Sequence, residues 1–369
     1  MKNGSDVTKM RAIALEAFEL VKKFSGSHSG EHGDGISRSE FNPVMFGEKL
    51  NTAFIKLKKI LDPSDLFNPG KIVNAPKMDA RDLFRYAPGY KASDFLTTLD
   101  WKEWPGAAGG LQGAVEMCNN NGACRKLVGG VMCPSFRITR DEKDSTRGRA
   151  NILRLAMSGQ LGPDAMISDK MKESLKLCVS CKACKRECPT GVNVSSMKIE
   201  INALWAAKHS LSLHDWLIAY LPNYASVVTK VPWVMNLRDR IPGLPFISEK
   251  ITGFSSRRRL PIWRSDYFKS SEINSEPKGK LPVILFGDTF NRYFEPENLR
   301  SAVNVLKAAG YTPFAPIPKS NKKSEICCGK THLSVGNVGS ARVNAKQLVE
   351  TYLPYASAGI PIVLSLIHI

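Results

Sequence analysis

The chain has 369 residues, 43% of them hydrophobic and 23% charged, and a formal net charge of +18. It is globular and long enough for two or three domains. Nine cysteines in motif spacing, with no signal-peptide pattern, exclude a disulfide scaffold and point to a reducing cytoplasm. The basic residues are scattered or lie in short runs such as Arg257-Arg258-Arg259. That leaves no nucleic-acid recognition motif and suits a surface facing an acidic redox partner.

In chain order, an amphipathic helix is predicted from about Asp6 to Phe24, because Val7, Met10, Ile13, Ala14, Ala17, Val21 and Phe24 recur at helical spacing. A polar, glycine-rich loop follows. Its segment Gly30-Glu31-His32-Gly33-Asp34-Gly35 lets the backbone approach a ligand closely. It also sets a histidine beside a carboxylate, a pair able to combine a proton acceptor with a metal-holding group. Taken alone, such a loop is more often plain surface. A second helix, Glu48 to Leu61, carries Leu50, Phe54, Leu57 and Leu61 on one face. It ends at Asp62-Pro63 and the turn Asn68-Pro69-Gly70-Lys71. The stretch from residue 75 to 110 has little periodicity and reads as a linker.

The cysteines come next. Cys178, Cys181, Cys184 and Cys188-Pro189 form a C-x2-C-x2-C-x3-C-P run, the spacing of a cubane 4Fe–4S cluster whose fourth cysteine ligates a neighbouring cluster. Zinc knuckles instead pair a C-x2-C with a distant second pair. Upstream, Cys118 and Cys124 hold the first and third places of the same template, Cys133-Pro134 the fourth, and Asn121 stands where the second cysteine would be. With the fourth ligands swapped, Cys133 joins Cys178, Cys181 and Cys184 in a four-thiolate site. Cys118, Cys124 and Cys188 then form a three-thiolate site, suited to a 3Fe–4S cluster or to a 4Fe–4S cluster with an oxygen or borrowed ligand. The alternative is one cluster closed by Cys188, with the upstream trio partly structural. Both arrangements describe electron transfer. Arg140, Arg147 and Arg149 either raise a cluster's potential through their charge or form a solvated basic face.

The next region reads as helices punctuated by prolines, including 204–208 and 216–221. Its most apolar part, Trp216 to Met235, is broken by Pro222, Asn223, Thr229, Lys230 and Pro232, well short of the ~18–20 uninterrupted apolar residues of a membrane span. A strand Pro282 to Phe286, a helix Pro296 to Ala309, the element Cys327-Cys328-Gly329, a helix to about Tyr352 and a strand at Ile360 to Val363 predict a small α/β unit. With no other cysteine in their segment, Cys327 and Cys328 read as cluster ligands with partners elsewhere or as two buried thiols at a turn. No strong internal repeat is visible. His28, His209, His214, His332 and His368 have no motif around them and are assigned to surface or core.

Several of these stretches carry a resemblance. Gly-Glu-His-Gly-Asp-Gly and Leu66-Phe-Asn-Pro-Gly-Lys71 resemble the C-terminal end of flavin-linked oxidases of the vanillyl-alcohol oxidase type. The cysteine runs, Ser145-Thr-Arg-Gly-Arg-Ala-Asn151 and the Cys-Cys-Gly element are similar to the iron–sulfur half fused to such flavoproteins in bacterial D-2-hydroxyglutarate and D-lactate dehydrogenases. The resemblance implies a mixed architecture. Residues 1–77 would end an α+β flavin-linked oxidase C-terminal domain, and 78–110 would be a linker. Residues 111–201 would be an α-helical ferredoxin-type 4Fe–4S domain, 202–276 a helical connector, and 277–369 a small α/β cysteine-rich domain like that of heterodisulfide reductase and glycolate oxidase iron–sulfur subunits.

By the same resemblance, Glu31 ligates a divalent metal such as zinc that grips a 2-hydroxy acid, and His32 takes the hydroxyl proton. Asn68 and Lys71 lie near FAD. The implied function is the electron relay of an oxidoreductase acting on the CH–OH of D-2-hydroxyglutarate or D-lactate. Electrons would leave to a one-electron acceptor protein or a quinone-linked chain, in the cytoplasm or at the inner face of the membrane. The alternative is a stand-alone iron–sulfur subunit of the heterodisulfide-reductase type. The family's upstream histidine ligands and flavin domain have no counterpart here, so the resemblance implies a C-terminal fragment, inactive alone, with Met1 an internal methionine or a false start. The ending Leu364-Ser-Leu-Ile-His-Ile369 resembles a translated sequencing adapter.

Overall fold

In this computed structural model, residues 4–86, 90, 96–104, 109–279, 281–318 and 326–364 are described. Met1, His368 and the terminal segment beyond Leu364 lie outside them. The described residues up to 90 fold as one unit and those from 96 onward as a second.

The first unit contains α1 (Gly4–Lys23), two short helices, α2 (Gly35–Arg38) and α3 (Asn42–Phe46), and α4 (Glu48–Leu61). The two expected helices form, and the buried face of α1 keeps part of the expected stripe, with Val7 buried and Met10, Ala14 and Val21 half-buried, but is rotated from it. Val7 and Phe18 are inside, whereas Ile13 is 67% exposed and Phe24 75% exposed. The reason is polar. Arg11, one turn beyond Val7, reaches Glu40 at 2.6 Å and Asp79 at 2.8 Å, so the face follows positions 7, 11 and 18. On α4 the apolar residues Leu50, Leu57 and Leu61 stay exposed.

The second unit begins with helices α5 (Gly110–Glu116), α6 (Pro134–Thr139), α7 (Thr146–Met157), α8 (Asp169–Lys176), α9 (Ala183–Glu187) and α10 (Val194–His209). Leu153, Leu175, Met197 and Ile201 pack with Cys118, Cys124, Cys133 and Cys184 in one core. Side-chain caps start the longer helices: Ser145 accepts from the Gly148 N–H, Ser168 from Met171 and Asn193 from Ser196. α10 runs unbroken through residues 201 and 202. The segment near Thr98, expected as linker, is anchored instead. The buried Glu200 carboxylate on α10 accepts from Thr98 N–H, Leu99 N–H and Trp101 Nε1 at 2.9, 2.6 and 2.8 Å.

Four helices follow, α11 (Leu213–Ala219), α12 (Leu221–Val228), α13 (Pro232–Asn236) and α14 (Leu244–Thr252). The prolines of α12, α13 and α14 sit in their first turns, where a missing N–H costs nothing. Among the described residues no helix is long and apolar enough to cross a membrane. The chain closes with β1 (Pro282–Phe286), α15 (Thr289–Tyr293), α16 (Pro296–Ala308), β2 (Thr312–Phe314), α17 (Lys330–Ser334), α18 (Val338–Ser357) and β3 (Ile362–Leu364). The sheet is parallel in the order β2-β1-β3, with Ile284 opposite both Phe314 and Ile362. β2 escapes sequence reading because it has three residues and a central proline, tolerated only at an edge. Asn202 on α10 donates to Ser334 O at 3.0 Å and Thr331 donates to Ala219 O at 3.0 Å. Those bonds tie the Cys-Cys-Gly end to the helical part.

Candidate metal centre

Cys178 follows α8 and Cys184 lies in α9, so the loop between them is short and must curl. It does so through two left-handed residues, Ser180 at φ 56° and Lys182 at φ 59°. Cys178, Cys181 and Cys184 line one small cavity, and Cys133 and Arg149 line it from the other side. Cys188 is not among its lining residues. Among the described residues no three His, Cys, Asp or Glu side chains converge on a single point fit for one metal ion. A cubane makes a different demand, since each of its thiolates binds a different iron and the four need only surround a common space. The donor set of this cavity fits such a cluster.

Burial pushes the Cys184 thiol up to about 11, and N–H groups of Val194 and Ser195, at the N-terminus of α10, act against that rise. Arg149, only 1% exposed, sits 3.6 Å from Cys133 Sγ and bonds Ser135 Oγ at 2.9 Å and Asp144 at 3.4 Å. Of the three arginines, Arg149 therefore belongs to the cavity and not to a solvated face, whereas Arg140 is exposed. Lys198 on α10 donates to the carbonyl of Cys178 at 2.6 Å.

The upstream cysteines lie on a loop of the same kind. Cys118 follows α5, Asn120 and Gly122 are left-handed at φ 65° and 76°, and both Cys118 and Cys124 are buried. Burial raises the Cys124 thiol, and the Arg147 N–H, at the start of α7, donates to its sulfur at 3.4 Å. Asn121 occupies the place that Cys181 has in the other loop. Cys188, half-buried, packs against the core that holds Cys118, Cys124, Cys133 and Cys184 alike, with its sulfur 3.3 Å from Thr190 Oγ1.

Two parts of this framework escape a reading of the cysteines alone. Glu187, just before Cys188, accepts from Val131 and Met132 N–H at 2.9 and 3.0 Å, joining the two Cys-Pro segments. Gly130 permits that approach, since a Cβ there would lie 2.5 Å from the carboxylate. In Ser145–Asn151, Gly148 lets α7 begin against the Glu142 carbonyl, 2.0 Å from where a Cβ would be. Arg147 and Arg149 then reach one loop each.

Cys327 is half-buried and Cys328 exposed, so they are not two buried thiols. They share a hydrogen bond that draws Cys328 down to about 6 and, with burial, pushes Cys327 up. Lys330, in the next turn, lies within electrostatic reach of both Cys328 and Cys178.

In the first unit, Asn68 and Lys71 meet at 3.2 Å and line an open groove of about 670 Å³ with Gly33, Asp34 and Gly35. Glu31 and His32 pair at 3.0 Å but are 86% and 78% exposed and outside that lining. His28 is the buried histidine of the loop, edge-on to Phe18 and bonded to the Arg38 carbonyl at 3.2 Å.

Comparison with known proteins identifies two family segments. Residues 1–72 match the C-terminal domain of FAD-linked oxidases, and 114–192 match a 4Fe-4S dicluster domain. The D-2-hydroxyglutarate dehydrogenase of Pantoea ananatis is 26% identical over 86% of this chain and 35% of that protein. Its namesake in Escherichia coli is 25% identical over the same shares. A probable glycolate oxidase iron-sulfur subunit of Bacillus subtilis is 32% identical over 60% of this chain and 51% of that protein. The chain spans about a third of the length of the dehydrogenases it matches. No solved structure matches it significantly.

Proposed function

We propose that this chain is the electron-relay part of a flavin-dependent D-2-hydroxy-acid dehydrogenase, with D-2-hydroxyglutarate the first substrate to test and D-lactate the second. The observation that carries the reading is the gathering of Cys133 with Cys178, Cys181 and Cys184 around one cavity, in a chain that also holds an FAD-linked oxidase segment. When bound, flavin supplies two-electron chemistry and iron–sulfur clusters supply one-electron transfer. The chain's own residues divide the work. Cys133, Cys178, Cys181 and Cys184 hold one cluster, and Cys118, Cys124 and Cys188 a second. Arg149 and the N-terminus of α10 favour the charged thiolates of the first.

His32 takes the substrate hydroxyl proton, Glu31 ligates a divalent metal such as zinc, and Asn68 and Lys71 face the flavin from the groove. Electrons leave to an acceptor protein or a quinone-linked chain, on the cytoplasmic side. The glycolate oxidase iron-sulfur relatives favour a second reading, a separate electron-transfer subunit. The glycine-rich loop together with Asn68 and Lys71, which a pure carrier has no use for, favours the first.

The test uses the full-length protein. Cys181→Ser should leave anaerobic flavin bleaching by substrate near the wild-type rate and abolish turnover with a quinone or cytochrome acceptor. Lost bleaching in a folded, flavin-loaded variant would overturn the relay. His32→Ala should slow bleaching by roughly 10²–10⁴-fold, the usual contribution of a general base. An unchanged rate would remove His32 from the mechanism.

A further inference from the structure

We infer that electrons leave the four-thiolate site at Cys181, and that the basic surface around it docks an acidic protein carrying a one-electron centre. The inference rests on the relay reading above and deepens it by naming the exit and the kind of partner. Of the four cysteines that line the cavity, Cys133 and Cys184 are buried and Cys178 is half-buried, whereas Cys181 is exposed. Tunnelling falls steeply with distance, so a carrier reaches such a cluster best at the corner that meets solvent. Beside that corner the fold leaves two apolar side chains outside its core, Val179 at 71% exposed and Leu177 at 48%. A small apolar centre suits brief electron-transfer encounters, which bury less surface than stable complexes.

The charge around the corner has one sign. From Lys176 to Arg186 the chain holds four cations and no carboxylate. Lys176, Lys182, Lys185 and Arg186 are all exposed, and among the described residues none of the four is in an ion pair. Lys330, at the start of α17, adds a further charge within electrostatic reach of Lys182. The flanking carboxylate, Glu187, is taken up by the Val131 and Met132 N–H groups. The upstream loop differs. Residues 118–124 include no Lys, Arg, Asp or Glu, and the nearby Arg125 and Arg147 both pair with Glu142, at 3.4 and 2.7 Å. Cations without acidic partners around an exposed ligand attract a negatively charged protein and speed its arrival. An anionic membrane would feel the same charge, but two apolar side chains are far less than the apolar face with which an amphipathic helix inserts. In the transfer the carrier's metal gains the one electron that the reduced cluster gives up. No bond forms or breaks, and no proton moves.

The chain is reconstituted without oxygen, reduced, freed of reductant, and mixed in stopped flow with oxidised rubredoxin, a small acidic iron protein, or with cytochrome c, a basic one. Added salt should slow reoxidation by rubredoxin and quicken reoxidation by cytochrome c, a reading that needs no substitution. The double variant Lys185→Glu, Arg186→Glu should cut the rubredoxin rate by about 10-fold or more. Lys56→Glu with Lys59→Glu, an equal change of net charge at exposed places on α4 of the first unit, should leave that rate unchanged. Zinc-substituted rubredoxin, which docks but accepts no electron, should bind the Lys185, Arg186 variant about 10-fold more weakly in calorimetry. In the full-length protein the same variant should leave cluster reduction by substrate at the wild-type rate. Slowed cluster reduction there would make this surface the electron entry and overturn the inference. Rubredoxin rates and affinities blind to salt and to the variant would also overturn it, as would binding to phosphatidylglycerol vesicles in place of rubredoxin. Each of these outcomes leaves the relay standing. Zinc in place of iron would overturn both.

Discussion

Residues 118–124 and 178–184 adopt the same loop between helices, yet one carries two cysteines and the other three. What they share is backbone. Each curls through two left-handed residues and each sets its last cysteine against the first N–H groups of a capped helix. What differs is the middle side chain and the bracing. The downstream loop faces the buried Arg149 and Cys133 across a cavity. The upstream loop is braced by Arg147, which bonds the Asn120 carbonyl at 3.2 Å and the Glu142 carboxylate at 2.7 Å. The same loop conformation is thus compatible with two cysteines or three, because it is held by hydrogen bonds and φ preferences of its own.

The comparison can be broken most severely at the last cysteines. Cys184→Ser should remove the four-iron cluster and Cys124→Ser only the other, which iron analysis and EPR of the two variants will separate. Loss of both clusters in both variants would mean that the loops form a single site.

Next in size is Arg149→Met. It leaves the Asp144 carboxylate buried without its partner, at a cost of about 3–5 kcal/mol in denaturant unfolding. It should also lower the midpoint potential of the four-thiolate cluster and leave the other unmoved, because a positive charge beside Cys133 is gone. Gly148→Ala should cost about 1–3 kcal/mol, since its Cβ would press on the Glu142 carbonyl. Because α7 serves both loops, that change should loosen both clusters together.

The smallest effects sharpen the comparison. Gly122→Ala and Lys182→Gly change equivalent left-handed places in opposite directions. The first should destabilise and the second stabilise, each by about 1 kcal/mol, read as paired shifts in thermal midpoint. Equal signs would show that the two loops are not equivalent.

The chemistry of the cysteine run was legible because ligand spacing is local: four sulfurs and a proline within a dozen residues leave few other uses. The helices α1 and α4 and the strand β1 were legible for a similar reason, since their apolar periodicity lies within one segment. The match between the two cysteine loops was legible in part, since Cys118, Cys124 and Cys133-Pro134 fit the same template with Asn121 in the second place. The φ pattern extends that match to the backbone. Glu187 and Glu200 were invisible, because a carboxylate that gathers distant N–H groups has no local signature.

The sequence by itself thus determined the ligand types, their spacing and the kind of element around each, all set by neighbours a few residues apart. Which thiols share a cavity was decided by the tertiary structure. Cys133 meets Cys178 across more than forty intervening residues, and that meeting depends on α7 starting where Gly148 allows, on Arg149 being buried and on Glu187 joining the two Cys-Pro segments. The same holds for α1. Helical spacing marked a stripe through Ile13 and Phe24, but the Arg11 bridge to Glu40 and Asp79 turned the helix so that Phe18 faces inward. Periodicity says that a helix has a buried side, and only the partners packed against it choose which side that is.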